Sequence, residues 1–171
     1  MFWEHPTFPF ALHLERHADE IRAEARRLSV ADYVDWHDGE AYSEGWKIFG
    51  LYARDVEPQS WTLAHNASRC PRTAAVLARI PGLLRASFSM LMPGAHVNPH
   101  ADSFQDRLRC CLGLWTPGAG IRFDGKDLRR CEGRCLVFDG HALHEADDLG
   151  AEPRVVMLID VERGQADTPI A

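Results

Sequence analysis

After residue 82 the apolar residues begin to recur at every second position, and few folds accommodate this pattern over so long a stretch. Between residues 84 and 92, Phe88 and Met90 would face one side of an extended segment while Ser87 and Ser89 face the other. An Asp-Gly pair at 124–125 and a Glu-Gly pair at 132–133 indicate tight turns between further short segments. Short alternating strands joined by tight turns are typical of a double-sheet jelly roll whose mouth can hold a ligand.

The first 82 residues are expected to support this core. Apolar residues at helical spacing predict an amphipathic helix over 11–28, residues 36–45 read as a polar loop, and 46–52 form a strand rich in aromatic residues. A short helix is expected from Pro71 towards residue 80. At 171 residues the chain fits one domain. We therefore predict a mainly β protein with flanking helices, in which residues 1–82 are support, 83–162 the core and 163–171 a tail.

Composition narrows the classes of partner. A formal net charge of −6 argues against a nucleic-acid surface, which usually requires a basic patch. The odd number of cysteines, five, without zinc-knuckle spacing indicates reduced thiols in a cytoplasmic protein. No stretch approaches the roughly 20 apolar residues of a membrane span, and the first residues do not resemble a signal peptide. We expect neither membrane insertion nor secretion.

Three residues within the predicted core have the spacing of a metal site. His100 and Asp102 stand at i and i+2, so on a strand they point to the same face. A later strand would have to bring His144 beside them. Two imidazoles and one carboxylate around a metal with open positions form the facial triad of non-haem Fe(II) oxygenases. His100, Asp102 and His144 are thus the candidate metal ligands and catalytic residues.

Other interpretations of these histidines remain open at this stage. With nine histidines in the chain, a His-x-Asp pair arises readily by chance. His141 and His144 would form a zinc-binding pair if they lay on a helix, although glycine and proline nearby disfavour one. A non-catalytic metal-binding cupin-like module would also contain such a pocket.

An arginine beyond the last histidine favours the oxygenase interpretation. Oxygen activation at such a metal needs two electrons from a co-substrate, and 2-oxoglutarate supplies them while chelating the metal. Its far carboxylate needs a fixed cation, and Arg154 at the start of a buried strand offers a guanidinium for a bidentate pair. The alternative is a structural salt bridge between Arg154 and Glu145, Asp147 or Asp148.

Several segments, in this order along the chain, together resemble the aspartyl/asparaginyl β-hydroxylase family. They are residues 46–49, 70–74, 80–82, 93–100, 107–109, 112–114 and 138–145. The resemblance extends over most of the chain from residue 46 to residue 161. It implies a double-stranded β-helix fold, Fe(II), 2-oxoglutarate and O₂ as reactants, and hydroxylation of an unactivated C–H bond with succinate and CO₂ as co-products.

The resemblance implies roles for individual residues of this chain. His100 and His144 match the iron ligands of the family, and the 2-oxoglutarate-binding positions match Ser89, Arg109 and Arg154. The animal peptide hydroxylases have glycine where this chain has Asp102, whereas the bacterial lipid A hydroxylases carry His-x-Asp. Cys111 stands where the animal enzymes have a histidine near the co-substrate.

The expected substrate is a small soluble molecule, such as an amino acid or an amino-acid residue borne by a carrier or peptide. Arg107 and Arg122 would hold its carboxylate, although an arginine in such a position is more often a solvated surface residue. The alternative substrate is a fatty acyl chain of a lipid. That alternative predicts an exposed apolar patch beside the pocket.

Overall fold

The computed structural model describes residues 2–3, 7–36, 45–54, 60–117, 119–123, 125–129, 132–148 and 150–170. The helices are α1 (Pro9–Arg16), α2 (Ala18–Ala25), α3 (Ser60–Arg69) and α4 (Pro71–Leu77), with short 3-10 turns at Val30–Asp32 and Arg163–Gln165. The strands are β1 (Phe2–Trp3), β2 (Val34–Asp35), β3 (Trp46–Ala53), β4 (Leu83–Leu91), β5 (His96–His100), β6 (Arg107–Trp115), β7 (Ala119–Phe123), β8 (Lys126–Arg129), β9 (Cys135–Phe138), β10 (His144–Asp148) and β11 (Arg154–Glu162).

The strands of this part of the chain form two antiparallel sheets. The larger has the order β1-β9-β6-β11-β4-β3-β2 and the smaller the order β5-β10-β7-β8. Strands far apart in sequence are therefore neighbours, as in a jelly roll, and the predicted fold class, a mainly β double-stranded β-helix with flanking helices, is confirmed.

Successive side chains along each strand of the large sheet point to opposite faces, and each face packs into its own apolar cluster. Phe88 on β4 and Met157 on β11 pack with Phe10 and Ile21 of the helices on one face of the large sheet. The other face meets the small sheet across a second apolar cluster that contains Trp46, Leu91, Ile121, Phe123 and Phe138. Full burial of each large side chain contributes about 1.5–3 kcal/mol. The space between the sheets, where the ligand-type residues project, is thus walled by well-packed residues.

The N-terminal helical region differs from the prediction in one respect. The apolar stripe predicts one helix over 11–28, but the structure has α1 and α2, separated at His17. His17 has φ −105° and ψ 11°, and its backbone nitrogen donates to Leu14 O, three residues back. Leu14 of α1 and Ile21 of α2 both remain in the core, so one helix or two helices satisfy the same apolar pattern.

Some predicted features fall outside the described residues. The 36–45 loop is described only at its two ends, and the turn at 124–125 only at Gly125. The four described cysteines are buried free thiols, and Cys131 lies outside the described part. Within the described ranges, no helix has the length and apolar character needed to cross a membrane.

Candidate active site

The two candidate histidines meet in the small sheet. His100 ends β5 and His144 begins β10, and the two residues are direct partners in the antiparallel register. Their ring centroids are 4.3 Å apart. Asp102 lies two residues beyond the end of β5, and one ligand atom from each of the three residues lies within 4.8 Å of the others. The structure therefore brings together the three residues that sequence spacing singled out.

Both imidazoles are held in the same way. The Nδ1 atom of His100 lies 2.8 Å from Asn98 O, and that of His144 lies 2.8 Å from Ala142 O, so each ring donates to the carbonyl two residues before it. This hydrogen bond places the proton on Nδ1 and leaves the Nε2 lone pair for a metal. Burial lowers the pKa of His144 to about 4, and the charge of His100 acts in the same direction. His144 is consequently neutral at neutral pH, as a metal ligand must be.

Asp102 is fixed by contacts with two other segments. Its backbone nitrogen donates to Gly140 O at 2.8 Å, and Arg109 Nη1 lies 2.8 Å from its Oδ2. A Cβ at residue 140 would lie only 2.2 Å from Asp102 Oδ2, so the carboxylate occupies space that only glycine leaves open. The other oxygen, Oδ1, lies 3.9 Å from His100 Nε2. One oxygen of Asp102 is thus engaged by arginine while the other faces the histidines.

Arg109 is shared between two carboxylates. Its Nε and Nη2 donate to Asp160 Oδ1 and Oδ2 at 2.8 and 3.2 Å, while Nη1 reaches Asp102. Burial lowers the pKa of the Arg109 guanidinium, but the charges of Asp160 and Asp102 outweigh this and raise the pKa above its usual value. Asp160, which is only 3% exposed, was not predicted as a site residue. The available signal was its even spacing from Arg154 on the same buried strand.

A small cavity of about 50 Å³ adjoins the histidines and contains the residues matched to the co-substrate. Ser89, Arg109 and Arg154 all line it, together with His100, His144 and Cys111. Trp46, another lining residue, donates from Nε1 to Ser89 Oγ at 2.9 Å. Arg154 is only 4% exposed. Three strands, β4, β6 and β11, therefore each contribute a polar side chain to the lining of this cavity.

The three carboxylates considered as salt-bridge partners for Arg154 all lie on β10. Glu145 and Asp147 both pair with Arg122. Asp148 accepts hydrogen bonds through its two oxygens from the backbone nitrogens of Gly150 and Arg154. These contacts order the chain around β10 and the start of β11.

Neither arginine expected to hold a substrate carboxylate lines the small cavity or the groove described below. Arg122 faces the outer side of the small sheet, where it pairs with Glu145 and Asp147, since its neighbours Ile121 and Phe123 point inward. Arg107 lies with its guanidinium 4.0 Å from the centre of the Phe104 ring. Arg107 thus supports the wall of the groove through Phe104. Nothing in the described structure brings Arg122 to the triad.

The zinc interpretation loses its structural basis. His141 lies in a turn rather than on a helix, and its backbone nitrogen donates to Asp139 Oδ1 at 3.1 Å. The candidate metal cluster found within the described ranges contains His144 but not His141.

A groove of about 790 Å³ opens beside His100 and Asp102. Its walls are mainly apolar and include Trp36, Trp46, Ile48, Leu63, Phe104 and Leu158. Three large apolar residues on it are solvent-exposed: Val34 by 54%, Tyr52 by 40% and Phe104 by 36%. Its charged lining residues are Asp32, Arg85, Asp102, Arg109 and Asp160. Two residues of the triad, His100 and Asp102, therefore line a largely apolar groove.

Two antiparallel sheets with a His, carboxylate, His cluster between them define a double-stranded β-helix protein with a candidate metal site. The chain belongs to the aspartyl/asparaginyl beta-hydroxylase family, whose sequence model matches residues 15–164. This match confirms the predicted family.

Among individual relatives, an ornithine lipid ester-linked acyl 2-hydroxylase from Rhizobium tropici is 32% identical over 166 residues. The alignment covers 90% of this chain and 57% of that protein. Human aspartate beta-hydroxylase domain-containing protein 2 is 32% identical over 136 residues, covering 74% of this chain and 36% of its own length. The matched part is thus between about a third and just over half of these relatives.

Solved structures agree on the fold. A prolyl-4-hydroxylase from Pseudomonas putida superposes with a TM-score of 0.56 at 22% identity, covering 85% of this chain and 87% of that one. An oxidoreductase of the 2OG-Fe(II) oxygenase family from Burkholderia pseudomallei gives 0.55 at 14% identity, covering 88% and 81%. At these identities the likeness supports the double-stranded β-helix fold alone.

Proposed function

We propose that the protein is an Fe(II)- and 2-oxoglutarate-dependent hydroxylase in which His100, Asp102 and His144 bind the metal. The observation that carries this proposal is the convergence of their ligand atoms within 4.8 Å. The donor set fits Fe(II), because two neutral imidazoles and one carboxylate leave metal positions for other reactants. When bound, Fe(II) and 2-oxoglutarate supply oxygen activation, with succinate and CO₂ as co-products.

The protein's own residues orient these ligands. The carbonyls of Asn98 and Ala142 keep the two Nε2 atoms available. Arg109 engages one oxygen of Asp102, so the carboxylate presents its other oxygen to the metal. Such outer contacts typically change metal affinity by 10- to 100-fold when they are removed.

The small cavity is suited to the distal carboxylate of 2-oxoglutarate. At about 50 Å³ it has room for a few groups of the size of water, enough for a carboxylate, so the rest of the molecule would extend towards the triad. Arg154 supplies a buried guanidinium for a bidentate pair. Ser89 Oγ accepts a hydrogen bond from Trp46, which leaves its own proton to donate to the same carboxylate.

Anaerobic loading tests the proposed chemistry. The protein is incubated with Fe(II) and 2-oxoglutarate without oxygen, then exposed to O₂, and succinate is measured. Slow succinate formation is expected even without the true substrate, and Asp102→Ala should lose most of it. Glu162→Gln, which removes a carboxylate paired with Arg54 at the exposed end of β11, serves as the matched control. Persistent absence of succinate with iron bound would favour a non-catalytic metal-binding module.

The groove favours the acyl alternative for the substrate. A free amino acid needs a small polar pocket, whereas the walls here are aromatic and aliphatic, with Val34, Tyr52 and Phe104 exposed along them. An exposed apolar patch of this kind is the feature that an acyl substrate predicts. The Rhizobium relative is by its name an acyl hydroxylase of a lipid. We infer that the substrate carries a long apolar segment that lies in the groove.

A pair of rim variants tests this substrate class. Val34→Asp places a charge on the groove, while Val30→Asp places the same charge on an exposed valine that does not line it. Acylated compounds and free amino acids are screened by mass for the gain of one oxygen. Val34→Asp should lower turnover of the accepted acyl compound about tenfold, and Val30→Asp should leave it unchanged. Hydroxylation of free amino acids alone would refute the acyl assignment.

A further inference from the structure

A buried carboxylate outside the triad requires an explanation. Asp160 lies on β11, where Ile159 and Val161 on either side are fully buried in the helix-side core, and its own side chain faces the groove. It is only 3% exposed. Burial of a carboxylate is costly unless it is paired and hydrogen-bonded. The ladder supplies the partner, because Asp160 stands in register with Arg109 on β6.

Asp160 occupies one side of the Arg109 guanidinium. Asp160 accepts from Nε at 2.8 Å and from Nη2 at 3.2 Å, and this bidentate pair fixes the plane of the Arg109 fork. The nitrogen that remains on the far side, Nη1, lies 2.8 Å from Asp102 Oδ2. Arg109 therefore reaches Asp102 through one nitrogen and at one oxygen.

This restriction decides which oxygen of Asp102 is available. The Oδ2 atom is taken by Arg109, whereas Oδ1 points towards the imidazoles, 3.9 Å from His100 Nε2. If Asp160 released the guanidinium, the planar fork could turn and pair with both oxygens of Asp102, which is the geometry that arginine and carboxylate favour. The candidate metal ligand would then be withdrawn from the site.

We propose that Asp160 is a positioning residue for the metal site. By pairing with two nitrogens of Arg109, it limits that arginine to one oxygen of Asp102 and keeps the other oxygen available for the metal. The inference rests on the proposed function in taking Asp102 as a metal ligand. It assigns Arg109 the task of holding the Asp102 carboxylate by one oxygen.

Metal binding without turnover tests the inference. Chelator-treated protein is titrated with Co(II), and affinity and the ligand-field absorption spectrum are recorded for wild type, Asp160→Asn and the same-strand control Glu162→Gln. Asp160→Asn should weaken Co(II) binding about tenfold, the size expected for loss of an outer contact, and alter the spectrum. Glu162→Gln should match wild type. Equal affinity and spectrum for Asp160→Asn and wild type would overturn the inference.

A second background separates positioning from general damage. Asp102→Ala removes the residue through which Asp160 is proposed to act, so adding Asp160→Asn to it should weaken Co(II) binding no further. An equal loss in both backgrounds would mean that Asp160 acts on the fold and would overturn the inference. If Asp160→Asn does not fold, Asp160→Glu replaces it, because glutamate keeps the charge but displaces the carboxylate from the two nitrogens of Arg109. The same tenfold loss is then expected, and no loss is the refuting result.

The two proposals fail in different ways. If Asp102→Ala leaves Co(II) affinity unchanged, the ligand set of the proposed function is wrong, and the inference falls with it. If Asp102→Ala weakens binding while neither Asp160→Asn nor Asp160→Glu does, the proposed function stands and only the role of Asp160 is refuted.

Discussion

Replacement of Arg154 by alanine removes the cation that we propose for the distal carboxylate of 2-oxoglutarate. Arg154 is 4% exposed and lines the small cavity with Ser89, and His100 and His144 line the same cavity. The variant should therefore weaken co-substrate binding without removing any group of the triad. Its effect on Fe(II) affinity should stay within about threefold, because Arg154 contributes no metal ligand.

The size of the effect follows from burial. Truncating one partner of a buried, hydrogen-bonded charge pair costs about 2–5 kcal/mol. A loss of about 3 kcal/mol corresponds to a roughly 100-fold higher KM for 2-oxoglutarate, since each 1.4 kcal/mol is tenfold. Arg154→Lys should recover part of this loss, because lysine keeps the charge but not the bidentate geometry.

Succinate formation measured against 2-oxoglutarate concentration gives the KM, and anaerobic Fe(II) titration gives the metal affinity. Arg134→Ala, which removes an exposed arginine that pairs with Glu15, is the control for loss of one positive charge. Equal losses of 2-oxoglutarate and Fe(II) binding in Arg154→Ala would show that Arg154 is structural and would refute the assignment.

Two further predictions concern the triad. Gly140→Ala should lower Co(II) affinity at least tenfold, because the new Cβ would lie 2.2 Å from Asp102 Oδ2; Gly164→Ala, where a Cβ meets nothing within 4 Å, should not. In chelator-treated protein, lowering the pH from 7 to 5 should reduce the free energy of unfolding by about 2 kcal/mol through His144. Its pKa is about 4 when folded against about 6.5 when unfolded, so the unfolded chain binds the proton first and stability is lost as the pH falls. Urea unfolding at both pH values should show a smaller loss in His144→Gln, and an equal loss would contradict the prediction.

The fold could be predicted because its signals are local. Period-two alternation and glycine-containing turns after residue 82 require strands with two different faces, and Phe88 and Ser89 do point to opposite sides of the large sheet. The break at His17 left no such signal, since α1 and α2 continue one apolar stripe. Helix propensity and the spacing of apolar residues do not reveal a turn that keeps the same residues buried.

The proximity of His100, Asp102 and His144 was also accessible from sequence. The i, i+2 spacing indicated Asp102, but β5 ends at His100, so it is the contacts with Gly140 and Arg109 that place Asp102. The position of His144 depended on the correct pairing of β5 with β10. Their roles as metal ligands stay a prediction. Arg122 was a poorer inference, because its alternation with Ile121 and Phe123 already favours the outer face of the small sheet.

Asp160 shows what one sequence does not reveal. Its partner Arg109 lies on β6, and the two meet only because β6 and β11 are neighbours in the large sheet. Because Asp160 is an even number of residues from Arg154 on the same strand, it could be placed on the inner face. Which residue stands opposite it depends on the order of strands in the sheet.

The most direct measurement is the visible absorption spectrum of the Fe(II)-loaded protein on anaerobic addition of 2-oxoglutarate. Chelation of Fe(II) by a keto acid gives a charge-transfer band. The band should appear in wild type, require a higher 2-oxoglutarate concentration in Arg154→Ala, and be lost in His144→Ala. Wild-type protein that binds one Fe(II) but shows no band at saturating 2-oxoglutarate would contradict the proposal that this triad and cavity form one oxygenase site.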